Sequence, residues 1–449
     1  MNVQRFTLWL QLDKSLSMAL IARGWQAISG PVTLMLLVLV LNQHEQGVFT
    51  VILPIVAIQT LFELGLGSVL IGQAGNMVGR ASRDLMSKTA SRENASNIGH
   101  GHLSELASVS LKWFSFIATL YAVAGCAIGW KVLGSSGIAL VDWRLPLALA
   151  IAVAAVTLAV SPRVYVLEGG GEREYVYRMR LWQAIAGSLT MWLTLLMGLK
   201  LWSIVAVFAV GAMFQLTIAF GARAQRLLNG ELRGSNSSQL SWLTQIAPLQ
   251  WRAAAVSAAH FLASQLLVIY VTNYYGPSVS APLGLTLQIT VAVQSLALAW
   301  AQTKFPLISH YQAQGERETA GNLWRQTTIV SSGLLLLAMV ALAIAIGCLP
   351  LCGRVFENRF VSPMLVLVLA IGYLANHLLA LQSYYVLSRA AKPLVTTSVA
   401  GLLCTAVAVW LGAKFYGING VIIAYSFSMA CVTLPLHSWA YLNFRKGNC

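Results

Sequence analysis

Long apolar runs separated by short polar turns dominate the chain. Twelve of them reach the roughly 20 residues that a helix needs to cross about 30 Å of hydrocarbon. Their edges fall near 16–41, 46–72, 107–130, 145–167, 179–199, 201–222, 246–274, 282–303, 326–349, 363–387, 394–413 and 418–443. The runs do not alternate apolar and polar positions, as transmembrane strands would. The pattern therefore predicts an all-α polytopic membrane protein with twelve transmembrane helices. The first run is too long for a signal peptide, and no small-residue cleavage site follows it, so it is expected to stay in the mature chain. The polar stretch "SRENASNIGHGHLSE", residues 91–105, is rich in Ser, Asn and Gly and reads as a surface loop.

Composition agrees with the pattern. Of the 449 residues, 57% are hydrophobic and only 10% charged, against about 25% charged in soluble domains. The basic residues are distributed unevenly. With a cytoplasmic N-terminus, 22 of the 29 Lys and Arg fall on inner segments and six on outer loops, with Arg23 inside the first span. This bias predicts that both termini are cytoplasmic. It also accounts for much of the +15 net charge and leaves no soluble basic domain for nucleic acid. Cys348 and Cys352 lie near the outer end of span nine, where an oxidising space would allow a disulfide. Their spacing and neighbours do not suggest zinc.

The hydropathy pattern repeats after 229 residues, which places Arg23 on Arg252, Gly47 on Gly276 and Gln59 on Gln288. Six spans per half return the chain to the same side. The expected organisation is two pseudo-symmetric six-helix bundles: 1–222, a cytoplasmic linker 223–245, and 246–449. Transporters built from parallel repeats bind substrate near the midplane, between the repeats.

Charges within spans are costly and usually find partners. Glu63 in span two and Arg23 in span one have similar depths, so they are expected either to form an ion pair or to make Glu63 an ion-coupling site. Arg252 and Arg163, near the inner ends of spans seven and four, either line a positive cavity with Arg23 or snorkel to headgroups. Polar stripes run along three spans: Ser257, His260 and Ser264; Gln288, Ser295 and Gln302; and Tyr373, His377 and Tyr384, with Asn376 beside them. They suit either a hydrated groove for polar cargo or interhelical hydrogen bonds. Gly30 and Pro31 predict a bend in span one, and hence a gating hinge.

"GVFTVILPIVAIQTLFELGLGSVLIG", residues 47–72, resembles the second span of bacterial polysaccharide flippases, and "FPLISHYQAQGERE", residues 305–318, resembles the exit of their eighth span. These are the O-antigen and exopolysaccharide transporters of the multidrug/oligosaccharidyl-lipid/polysaccharide exporter superfamily. The related lipid II flippases usually have fourteen spans, more than this pattern provides. The resemblance implies a flippase, not an enzyme, that moves an undecaprenyl-pyrophosphate-linked oligosaccharide to the outer leaflet of a bacterial cytoplasmic membrane. It implies a cationic cavity, carried here by Arg23 and Arg252 and more weakly by Arg163; in that case the polar stripes are expected to hold the sugars, along His260, Gln288, Ser295 and His377. The expected partners are membrane lipids, a polysaccharide polymerase and a chain-length regulator. No cofactor is required; Na+ and H+ are the candidate coupling ions. The rival readings are a cation-coupled multidrug antiporter of the same superfamily, a polysaccharide polymerase or ligase, and a non-transporting scaffold. The short outer loops disfavour the enzyme, and one span carboxylate against several arginines disfavours the antiporter.

Overall fold

The computed structural model describes residues 14–63, 66–86, 92–134, 142–228, 247–313, 316–388 and 395–447. The side chains of Arg23, Arg252 and Cys352 lie outside the described residues, as does most of the expected linker, from 229 onward. Among the described residues there is no strand. Among these residues eight helices are long and apolar enough to cross a membrane, and a ninth if one bent pair is a single span. The chain is an all-α, multi-pass membrane protein.

Each of the twelve expected spans corresponds to helix, but three are interrupted or folded. Span one is α1 (Lys14–Val40). Span two is divided into α2 (Gln43–Ala57), α3 (Gln59–Glu63) and α4 (Leu66–Met86). Spans three to six are α5 (Arg92–Gly134), α6 (Arg144–Gly169), α7 (Arg173–Leu196) and α8 (Trp202–Phe220), followed by the short α9 (Ala222–Leu228). Span seven is the pair α10 (Ala247–Ser264) and α11 (Leu267–Tyr275), bent by 44°. Spans eight to ten are α12 (Pro277–Ala313), α13 (Arg317–Cys352) and α14 (Pro363–Ser388). Spans eleven and twelve are α15 (Val395–Ser428), a π-helical turn at Met429–Thr433, and α16 (Leu434–Gly447).

The stretch expected to be a loop, 91–105, is helical from Arg92 onward. Ser, Asn and Gly only weakly disfavour helix. Extending an existing helix gains a hydrogen bond per residue without a new nucleus.

The α15 hairpin shows how two spans share one uninterrupted apolar stretch. Gly417 takes φ +58° and ψ −134°, which breaks the helix and is open to glycine at little cost. The chain then returns antiparallel. Gly412 and Gly420 lie backbone to backbone, and Gly401 packs on Thr433 further down. Thr405 bonds to Ser428 and Thr433, at 2.9 Å each. Small residues let the backbones approach, and buried hydroxyls tie them.

The contacts divide the chain into two compact units: 1–25, 56–128 and 142–257; and 26–55, 129–141 and 258–449. Boundaries fall inside α1, α2, α5 and α10.

In the second unit, α2 opens with a reciprocal cap. The Asn42 side chain accepts from the Glu45 N–H at 2.8 Å, and the Glu45 carboxylate accepts from the Asn42 N–H at 3.1 Å. Gly47 then meets the Pro277 backbone, and Gly284 of α12 meets Thr50. Arg359 Nη1 donates to Gln46 Oε1 at 2.8 Å, and His44 Nδ1 lies 2.8 Å from Ser278 Oγ. The 229-residue shift equates Gly47 with Gly276, so the corresponding starts of α2 and α12 lie side by side.

Candidate functional site

The site of the first unit begins with the break in span two. Pro54 lacks an N–H, and α2 ends three residues later, with a turn at Ile58. Carbonyls freed at a break need new donors in an apolar setting. The fully buried Tyr121 donates to Val56 O at 3.0 Å, and Thr60 Oγ1 donates to Ala57 O at 2.8 Å. Glu63 is the last described residue of the short α3.

The described partner of Glu63 is Tyr165 of α6, whose hydroxyl donates to Oε1 at 2.7 Å. The backbone of Gly67 also bonds to the carboxylate. A Cβ at Gly67 would lie 2.6 Å from Glu63 Oε1 and 2.9 Å from the Tyr165 ring, so only glycine leaves room for the pair. Arg180 of α7 acts electrostatically on both Glu63 and Tyr165. Its guanidinium is paired with Glu168, 2.9 Å away. Glu168 also bonds to Tyr177. Glu63, Tyr165, Glu168, Tyr177 and Arg180 thus form one polar group.

Sequence reasoning identified Glu63 but missed Tyr165, Glu168 and Arg180. The legible signal was Tyr165 and Glu168 at i, i+3, which places them on one face of α6. The pairing of α6 with α7 across the turn at 170–172 was not legible.

Arg163 extends its guanidinium over the Phe220 ring, 4.5 Å from the centroid. Its Nε is buried without a hydrogen-bond partner. No carboxylate lies within ion-pair distance of it among the described residues. α1 is placed by Trp25, whose Nε1 donates to Ser188 Oγ at 2.8 Å beside the Trp192 ring. Pro31 lies within α1 without interrupting it, and Gly30 has open space around its Cβ position.

The polar positions of the second unit are mostly paired with other helices. Ser331 of α13 donates to Ala297 O at 2.6 Å, so its 2.9 Å contact with His377 Nε2 requires the imidazole to donate. His377 is fully buried and joins α14 to α13. Asn376, one residue earlier, bonds to His260 of α10, which also faces Ser264. Tyr373 packs on Tyr425, with ring centroids 5.6 Å apart. Gln302 donates to the Tyr384 hydroxyl at 2.9 Å. Gln288 and Ser295 are half-buried on α12. The α10 and α12 stripes therefore each reach α14, through His260 with Asn376 and Gln302 with Tyr384, while Tyr373 and His377 of α14 turn to other helices. Among the described residues no group of three His, Cys, Asp or Glu is close enough to hold a metal ion.

No protein-family model and no curated protein matches the sequence. Solved structures do match. The lipid II flippase MurJ in an inward closed conformation is similar over 95% of this chain and 87% of its own, at 11% identity and TM-score 0.57. The MATE multidrug transporter DinF-BH is similar over 97% and 96%, at 12% identity and TM-score 0.61. A point mutant of the Vibrio cholerae MATE transporter VcmN is similar over 97% and 95%, at 14% identity and TM-score 0.57. At these identities the likeness establishes the fold alone: the chain is folded like these transporters.

Proposed function

We propose that the protein is a MOP-type transporter, not an enzyme, that flips an anionic lipid-linked oligosaccharide by alternating access. The cargo class is a lipid pyrophosphate bearing sugars, and the direction is from the inner to the outer leaflet of a bacterial cytoplasmic membrane, with both termini inside. The observation that carries this reading is Arg163. A guanidinium with a buried N–H and, among the described residues, no counter-ion is electrostatically incomplete until an anion arrives. Arg23 and Arg252 add to the same positive charge in this proposal. His260, Gln288 and Ser295 face the sugars, and His377 holds the helices that present them. Gly30 and Pro31 serve as the hinge, close to the boundary that divides α1 between the two units. A polysaccharide polymerase and a chain-length regulator are the proposed downstream partners.

A second reading is favoured by Glu63. A carboxylate held by Tyr165 and the Gly67 backbone suits proton or Na+ coupling, as a cation-driven multidrug antiporter would need. Proteoliposome transport separates the two. The flippase reading expects translocation of a fluorescent lipid-pyrophosphate oligosaccharide, reduced about tenfold or more by Arg163→Gln, the loss of one charge-assisted contact. Uptake of a cationic dye without movement of the lipid would overturn it and establish the antiporter.

A further inference from the structure

A cleft of about 590 Å³ opens between α13, α14 and α16, within the usual range of roughly 300–1,000 Å³ for ligand pockets. All of its lining belongs to the second unit, and none of it belongs to the polar groups described above. One wall is a single face of α13, formed by Glu318, Gly321, Asn322, Arg325, Thr328 and Ile329. The spacing of three, four, seven, ten and eleven from Glu318 brings all six to one side of a helix.

The order along that face carries the inference. Ile329 is apolar and 62% exposed, as a lipid-facing residue would be. One turn away, about 6 Å along the axis, is Arg325. Two turns further, about 10 Å on, is Glu318. Both charged residues are exposed, and among the described residues neither has an ion-pair partner. The sequence along the cleft is apolar surface, then cation, then anion. An aminophospholipid presents the complementary order: acyl chains, then phosphate, then ammonium.

The rest of the cleft suits such a headgroup. Trp324 and Tyr441 line the cleft, and both pack against the buried Tyr385, with ring centroids 5.1 and 5.7 Å away, the second edge to face, giving an amphipathic aromatic wall. The Gln382 amide is fixed, donating to Ser438 at 2.9 Å and facing His437 Nδ1 at 2.8 Å. Nothing lies within 4 Å of a Cβ built at Gly321, between the two charges, so the absent side chain leaves the cleft open.

We propose that this cleft binds the headgroup of a zwitterionic aminophospholipid, with its phosphate on Arg325 and its ammonium on Glu318. Native mass spectrometry of the purified full chain, delipidated and offered phosphatidylethanolamine or phosphatidylglycerol, tests it. The wild type retains phosphatidylethanolamine over phosphatidylglycerol by about tenfold, one charge-assisted contact. Glu318→Gln removes that preference and keeps phosphate binding. Arg325→Gln loses both lipids. Gly321→Phe fills the cleft and loses both lipids with its thermal unfolding unchanged. Soluble glycerophosphoethanolamine at matched concentration does not compete, because it lacks the chains that cover Ile329. Equal retention of the two lipids by the wild type overturns the proposal, whether or not the variants fold. So does retention unchanged in Arg325→Gln or Gly321→Phe, and competition by the soluble headgroup reassigns the site to a water-soluble phosphate.

Discussion

The two units solve the same problem, joining helices in an apolar solvent, with different chemistry. In the first, charged groups take part, Glu63 with Tyr165 and Glu168 with Arg180, beside neutral ties such as Trp25 with Ser188 and Tyr121 with Val56. In the second, the described ties inside the spans are neutral: His377 with Ser331, Thr405 with Ser428 and Thr433, and glycines seated on backbone. Its charged contacts, such as Arg359 with Gln46, lie at helix ends. The two units are thus both built of apolar helices, but the chemistry that ties their helices differs. Charged ties keep a site responsive to ions and anions, whereas neutral ties and close packing hold a shape.

Substitutions can break or sharpen this comparison. The largest effect is expected in the neutral unit, at Gly420. A side chain there meets the Gly412 carbonyl and the Tyr416 Cβ, and backbone gives less readily than a flexible side chain. Gly420→Leu should destabilise by about 3 kcal/mol or more, read as a fall in melting temperature in detergent. Gly30→Ala, with open space at its Cβ, should leave the melting temperature unchanged and serves as the control.

Next is Arg180→Ala, which leaves the Glu168 carboxylate, only 6% exposed, without its cation. Breaking a buried pair costs about 3–5 kcal/mol, and the partial exposure of Arg180 reduces this to about 2–3. A double-mutant cycle with Glu168→Gln should recover most of the loss; additive losses would show that the pair is not a unit.

Tyr165→Phe removes one hydrogen bond to a carboxylate, worth about 1.5–3 kcal/mol, and so should cost somewhat less. Ser331→Ala should cost least, near the average of about 0.6 kcal/mol for hydrogen bonds between membrane helices. If Ser331→Ala destabilised as much as Arg180→Ala, the distinction between charged and neutral units would fail.

Much of the fold was legible because hydropathy reports span length directly. The breaks at Ile58 and at Gln265–Leu266 were not, since a window of some twenty residues averages over a single turn. Pro54 was a visible clue to the first break, but its consequence depended on Tyr121 and Thr60 supplying donors. At the site, the solvation cost of a carboxylate made Glu63 conspicuous. Arg180 and Glu168 were not conspicuous, because charges near span ends also fit the positive-inside pattern. Periodicity groups the polar stripes on helix faces, yet it does not name the neighbour. Tyr373 and His377 are one turn apart, and they contact Tyr425 and Ser331 on different helices.

The central claim, an anionic cargo, is tested most directly by the voltage dependence of flipping. Moving two negative charges across about 100 mV changes the driving force by roughly 4–5 kcal/mol. In proteoliposomes loaded with a lipid-pyrophosphate oligosaccharide, an imposed potential, negative on the side the cargo leaves, should accelerate net translocation. Collapsing that potential should slow it. A rate indifferent to the potential, or one accelerated by the opposite sign, would contradict the account.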